Sequence, residues 1–210
     1  DKYGLVVWAE IPYINKHVTA AKESTRSQLK ELVIQNYNHP SIIIWGLSNE
    51  LSLEDDYADM TENHKYLNDL CHSLDSTRLT AIGSIASTPE NDPFIHITDA
   101  VGYNLYYGWY GGNIEDNGVW LDKFHKNNPD KPIGVSEYGC ESLNWHSSTP
   151  QAWDFTEEFH AHFHEELIKQ LYTRDYLWIR ICWNMFDYAA DGRNEGGMPG
   201  QNRKGLVTID

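Results

Sequence analysis

Two glutamates close apolar runs in this chain. Glu50 ends Asn38-His39-Pro40-Ser41-Ile42-Ile43-Ile44-Trp45-Gly46-Leu47-Ser48-Asn49-Glu50, and Glu137 ends Pro132-Ile133-Gly134-Val135-Ser136-Glu137. A buried strand that delivers polar groups at its C-terminal end is how parallel α/β proteins present reactive side chains. Two such carboxyls with different pKa values can share paired acid chemistry. Cleavage of a glycosidic bond needs one to protonate the leaving oxygen and the other to relieve charge at the anomeric carbon. The plain alternative is that each is a strand-end carboxylate binding backbone amides. Glu10, which ends another apolar run, and Glu195, in a Gly-rich stretch, are rivals for either role.

The elements that must position these residues alternate. Strands are expected at 5–9, 42–48, 79–85, 100–105, 133–136 and 178–186. Helices are expected at 19–36, with Leu29, Leu32 and Val33 on one face, at 57–74, with Tyr66, Leu67, Leu70 and Leu74 as its apolar stripe, and at 119–127 and 153–172. A Gly-rich loop from Ala189 to Lys204 and a short apolar tail, 205–209, complete the chain. Strict alternation implies a parallel sheet covered by helices, either doubly wound or a (β/α)₈ TIM barrel. No G-x-G-x-x-G follows the first strand, so the dinucleotide fold loses its main support. Polar residues end several strands (Glu10, Asn49-Glu50, Asn104, Glu137, Asn184), which fits a barrel with its site on the C-terminal face. Six strands and 210 residues fall short of a closed barrel of ~250 residues. Asp1-Lys2-Tyr3-Gly4 reads as a helix end running into a strand. The expectation is therefore one partial barrel over residues 1–210, holding strands three to eight, with strands one and two upstream.

A net charge of −15 argues against nucleic acid or an anionic membrane as partner. No apolar run reaches the ~20 residues of a membrane span. Cys71, Cys140 and Cys182 are odd in number and lack C-x-x-C spacing, which disfavours a disulfide framework or zinc knuckle. His160 and His164 share a helix face, but His164-Glu165-Glu166-Leu167-Ile168 lacks the second His of H-E-x-x-H, so surface or partly packed histidines are expected. The 8 Trp and 13 Tyr are mostly core, yet Trp109, Tyr110, Trp145 and Trp183 lie beside polar residues and turns, where flat faces stack on sugars.

Four segments in order extend these observations to a family. They are Asn38-His39-Pro40-Ser41 through Asn49-Glu50; Tyr103-Asn104-Leu105-Tyr106-Tyr107-Gly108-Trp109-Tyr110; Lys131-Pro132-Ile133 through Ser136-Glu137-Tyr138-Gly139; and Cys182-Trp183-Asn184-Met185-Phe186-Asp187. Together they closely resemble the catalytic barrel of glycoside hydrolase family two, the β-galactosidase and β-glucuronidase group. The resemblance implies a retaining double displacement on a carbohydrate, with Glu50 as general acid/base and Glu137 as nucleophile, their carboxyls ~5–5.5 Å apart. It implies that Asn49 holds the sugar 2-hydroxyl, that Tyr106 hydrogen-bonds near the nucleophile, and that Trp183 floors the sugar subsite. Asn104 joins the substrate-binding set. It also implies β-sandwich domains upstream.

The sugar turns on Gly200-Gln201-Asn202-Arg203-Lys204-Gly205. In the β-glucuronidases of this family an Asn-x-Lys here grips the sugar carboxylate, and Asn202 and Lys204 match it. The preceding Ala190-Asp191-Gly192-Arg193-Asn194-Glu195-Gly196-Gly197 resembles bacterial β-galactosidases instead, with Lys204 then a solvated loop lysine. The balance leans to a β-galactosidase, with a β-glucuronidase as the alternative. The stretch Glu10 to His17 does not match the family's magnesium ligands, so neither a catalytic metal nor another cofactor is expected. A non-catalytic carbohydrate-binding barrel and a metal-dependent hydrolase using Glu10, Glu50 and histidines are the other readings. Bacterial cytoplasm and periplasm both fit, and any homo-oligomer would form through the full-length protein.

Overall fold

The apolar run at 42–47 can satisfy its backbone and its side chains together only as a strand covered on both faces. In the computed structural model, which describes residues 1–53, 56–148, 155–196 and 198–208, it is β2 (Ile42–Asn49), buried at most positions. β2 lies between β1 (Val7–Glu10) and β3 (Leu79–Ile85) and is parallel to both. Register sets Glu10 opposite Gly46, and Asn49 opposite Gly83. β4 (Ala100–Asn104), β5 (Ile133–Glu137) and β6 (Leu177–Arg180) follow, so neighbours in the six-stranded sheet are neighbours in sequence, β1 through β6. A doubly wound sheet reverses its order at a switch point. This unbroken order is that of a partial (β/α)₈ barrel.

The chain forms two compact units, Asp1–Tyr103 with Asn128–Gly134, and Asn104–Asn127 with Val135–Asp210. In the first, α1 (Lys22–Asn36), preceded by a 3₁₀ turn at Thr19–Ala21, buries Thr25, Leu29 and Val33. Leu32 is only half-buried. α2 (Tyr57–Leu74) starts at Asp56, whose carboxylate accepts from the Asp59 amide at 3.2 Å. The buried face of α2 is Met60, Asn63, His64, Leu67 and Cys71, one step round from the expected stripe. Polar residues define it, because Asn63 bonds Thr25 at 3.1 Å and His64 bonds Ser48 at 2.8 Å. Tyr66 stays outside, under the Arg26 guanidinium.

In the second unit, α3 (Asp116–Asn127) begins a turn earlier than expected, and Arg174, two residues past the end of α4 (Glu157–Tyr172), grips its Asp122 with two bonds of 2.9 and 2.7 Å. Thr156 caps α4; the earlier expected start, 153–154, lies outside the described residues. Strand six stops at Arg180 rather than 186, so Asn184 does not close a strand. The segment expected as a loop is an antiparallel hairpin, β7 (Tyr188–Glu195) and β8 (Met198–Asn202). β7 is largely exposed, and neither strand carries an apolar alternation; the turn begins at Gly196, with φ 60°, while Gly197 lies outside the described residues. The expected tail has a bridge at Val207, and Ile209 is also outside the described residues. No helix among the described residues is long and apolar enough to cross a membrane.

Candidate active site

Asn49 and Glu50 belong to the first unit. Glu50 has φ 52°, a left-handed backbone rare for a residue with a side chain. Such a conformation costs roughly 1–2 kcal/mol and persists where surrounding contacts over-determine it. Here the Glu50 amide donates to the Gly83 carbonyl at 2.9 Å, the Asn49 amide to Tyr13 at 3.0 Å, and the Asn15 amide to Asn49 at 3.0 Å. Gly83 leaves room for the Asn49 amide, because a Cβ there would stand 2.5 Å from Asn49 Oδ1 and displace it. Beneath the strand end, Ser48 bonds His64, His64 stacks on Tyr13, Tyr13 bonds His17, and His17 meets Asp59 at 2.8 Å. Burial pushes His64 down to about 4, so it serves as a neutral partner. The rival Glu10 is half-buried and accepts from the Trp8 indole at 3.0 Å; burial pushes its carboxyl up to about 7.

The other expected site residues lie in the second unit. Glu137 closes β5, and its Oε2 accepts from the Tyr106 hydroxyl at 2.7 Å. Asn104, buried at the end of β4, accepts from Ser136 at 2.6 Å, and the Leu105 amide donates to the Glu137 carbonyl at 2.8 Å. Two residues on, Gly139 is required by close approach: a Cβ there would collide with the Trp183 carbonyl. The Trp183 amide returns a bond to Tyr138 at 2.8 Å, and the Trp183–Asn184 peptide is cis. The Trp183 ring meets Tyr188 edge-on, centroids 6.1 Å apart. Burial raises the Tyr188 hydroxyl above its ordinary range, and the Glu137 charge adds to that effect.

Lys204 is not a solvated lysine. It is 1 % exposed, and its Nζ bonds the Tyr110 hydroxyl at 2.7 Å and Glu141 Oε1 at 3.1 Å. The ammonium lies 5.6 Å from the centroid of Tyr106, the tyrosine that holds Glu137. Asn202, also buried, accepts from the Lys204 amide at 3.0 Å and donates to Tyr188 at 3.3 Å. Arg193 joins the same group, bonded to Glu141, to Tyr110 at 3.1 Å and to Glu195 at 2.8 Å. Glu195 thus balances an arginine. The sequence reading missed Tyr110 as a hydrogen-bond partner, and Glu141, Tyr188 and Arg193 altogether. Each stands in or beside a segment already singled out, but its partner is remote in sequence.

The parallel barrel order and the carboxylates at its strand ends define a class, and comparison with known proteins gives the family. Residues 1–210 match the profile of glycosyl hydrolases family 2, TIM barrel domain. The chain belongs to that family. It is 37% identical over its whole length to a β-glucuronidase of Bacteroides fragilis, of which it covers 32%. It therefore spans about a third of that relative. A solved FMN-binding β-glucuronidase from Facaelibacterium prausnitzii L2-6 is 49% identical, with TM-score 0.93, over 98% of this chain and 32% of that one. Bacteroides uniformis β-glucuronidase 2, covalently bound to cyclophellitol-6-carboxylate aziridine, is 32% identical with TM-score 0.88, over 99% of this chain and 27% of its own.

Proposed function

We propose that the chain is the catalytic barrel of a retaining exo-β-glycosidase acting on terminal β-linked sugar acids, a β-glucuronidase. The observation that carries the sugar assignment is buried Lys204, in the same unit as Glu137 and one tyrosine away from it. An ammonium has three N–H donors. Tyr110 and Glu141 take two, leaving a third for a sugar carboxylate. A desolvated cation favours such a carboxylate over a neutral hydroxymethyl group. The relatives lend support: they are mostly β-glucuronidases, and one is trapped covalently by a cyclitol carboxylate. β-Glucuronidase thus replaces β-galactosidase as the leading reading.

In the proposed reaction Glu137 attacks the anomeric carbon while Glu50 gives its proton to the departing glycosidic oxygen. Tyr106 steadies the attacking carboxylate, and Asn49 bonds the sugar 2-hydroxyl. Glu50, now a carboxylate, takes a proton from water, the water oxygen displaces Glu137, and two inversions give net retention. Trp183 lies beneath the sugar ring, while Asn202 and Lys204 hold its carboxylate; Asn104 orients Ser136 beside the nucleophile.

The test uses the full-length protein. A panel of nitrophenyl glucuronide, galactoside, glucoside and mannoside should give highest kcat/KM on the glucuronide; a galactoside preference overturns the sugar. Glu137→Gly with azide should yield a glycosyl azide of inverted anomeric configuration. Wild-type turnover in that variant would remove Glu137 from its role.

A further inference from the structure

We propose that Cys140, His160 and His164 form a binding site for a zinc-like cation, separate from the carboxylate chemistry. The Cys140 sulfur and one ring nitrogen of each histidine lie within 4.8 Å of one another. Cys140 is fully buried, in the loop three residues after Glu137, and His164 is 8 % exposed. The two histidines are one turn apart on α4, their rings 4.6 Å between centroids and nearly perpendicular. The Nε2 atoms of both are buried and have no hydrogen-bond partner among the described residues. This second observation points to a ligand. Buried polar atoms are satisfied in the great majority of cases, and two exceptions one turn apart beside a thiol share one solution.

The donor chemistry selects the ion. One thiolate and two imidazoles suit borderline-soft zinc, with bonds of about 2.3 Å to sulfur and 2.0–2.1 Å to nitrogen. A tetrahedral ion with those bonds needs donors roughly 3.3–3.7 Å apart, which small side-chain rotations reach from the present spacing. A neutral imidazole ring is the ligating form. On binding, the Cys140 thiol loses its proton to solvent and its sulfur and the two ring nitrogens each donate a lone pair; nothing is oxidised or reduced. Water completes the shell. The ion would staple α4 to the segment 138–142, which carries Gly139 against Trp183 and Glu141 against Lys204. The sequence alone placed His160 and His164 on one helix face but set a zinc site aside for want of the second His of H-E-x-x-H, and it gave no sign that Cys140 meets them.

The full-length protein, stripped with a chelator under reducing conditions, is titrated with cobalt(II) as the probe. One equivalent should give the visible bands of tetrahedral cobalt and a near-ultraviolet thiolate-to-cobalt band. Zinc should displace it and raise Tm. Cys140→Ser should abolish the thiolate band, whereas Cys182→Ser, altering the unit's other thiol, should keep it. His160→Gln should weaken zinc binding at least ~10-fold. No thiolate band in the wild type, or the same band in Cys140→Ser, overturns the proposal. The wild-type spectrum decides even where a variant fails to fold.

Discussion

The two strand ends that carry the carboxylates are held by different means. At Glu50 the visible constraint is in the main chain: a left-handed residue fixed by amide bonds from Asn49, Glu50 and Asn15. At Glu137 the backbone is ordinary strand, and side chains do the holding, from Tyr106 through to Lys204, Glu141 and Arg193. Under the proposed roles, the acid/base would be set by backbone geometry and the nucleophile by a side-chain network that also meets the sugar. The lesson is that substitutions around Glu50 should act through local strain, and those around Glu137 through charge and hydrogen bonding.

The largest expected effect breaks the chemistry at both ends. Glu137→Gln should lower kcat on the order of 10⁴-fold or more whatever the leaving group. Glu50→Gln should cost ~10²–10⁴-fold, and least for substrates whose leaving group needs no proton. Equal losses across a leaving-group series would erase the assigned difference in roles. Full activity in both would move the chemistry to other residues, and no turnover in the wild type would favour a carbohydrate-binding barrel.

Next is charge. Lys204→Met should lower kcat/KM on the glucuronide by roughly 10²-fold or more while altering the galactoside far less. It also leaves buried Glu141 with only Arg193, so a fall in Tm should accompany it, consistent with the ~3–5 kcal/mol typical of breaking a buried pair. A uniform loss on both sugars would make Lys204 a structural residue only.

Glycine substitutions sharpen the contrast further. Gly139→Ala forces a methyl group into the Trp183 carbonyl and should destabilise by about 1–3 kcal/mol, read from thermal or urea unfolding. Gly83→Ala meets only the Asn49 side-chain amide, which can rotate away, so it should cost less stability and show mainly in kcat. Tyr106→Phe should remove about 1.5–3 kcal/mol of charge-assisted bonding to Glu137, measured as a fall in kcat.

The smallest effect has the opposite sign. Glu50→Asn places a residue that tolerates left-handed backbone where strain is stored, and should raise Tm by about 2–4 °C while abolishing turnover. An unchanged or lower Tm would mean the Glu50 conformation carries no strain.

Much of this was legible in the sequence because strand and helix periods are local. The bounds of α2 and β3 fall where the pattern puts them, and Glu50 and Glu137 stand where apolar runs end. The hairpin of β7 and β8 was missed because its glycine-rich, polar strands carry no apolar alternation. The inner face of α2 was shifted because Asn63 and His64 are buried by hydrogen bonds, which hydropathy reads as surface.

By itself, then, the sequence determined the alternating elements, the barrel class and the two carboxylates, since each follows from the order of apolar and polar residues along one strand or helix. Tertiary structure alone decided the rest: that Glu50 turns left-handed, that Lys204 is buried against Glu141 and Tyr110, and that Cys140 meets His160 and His164. Each is a contact between segments distant in the chain, and such contacts depend on which faces the fold turns toward one another.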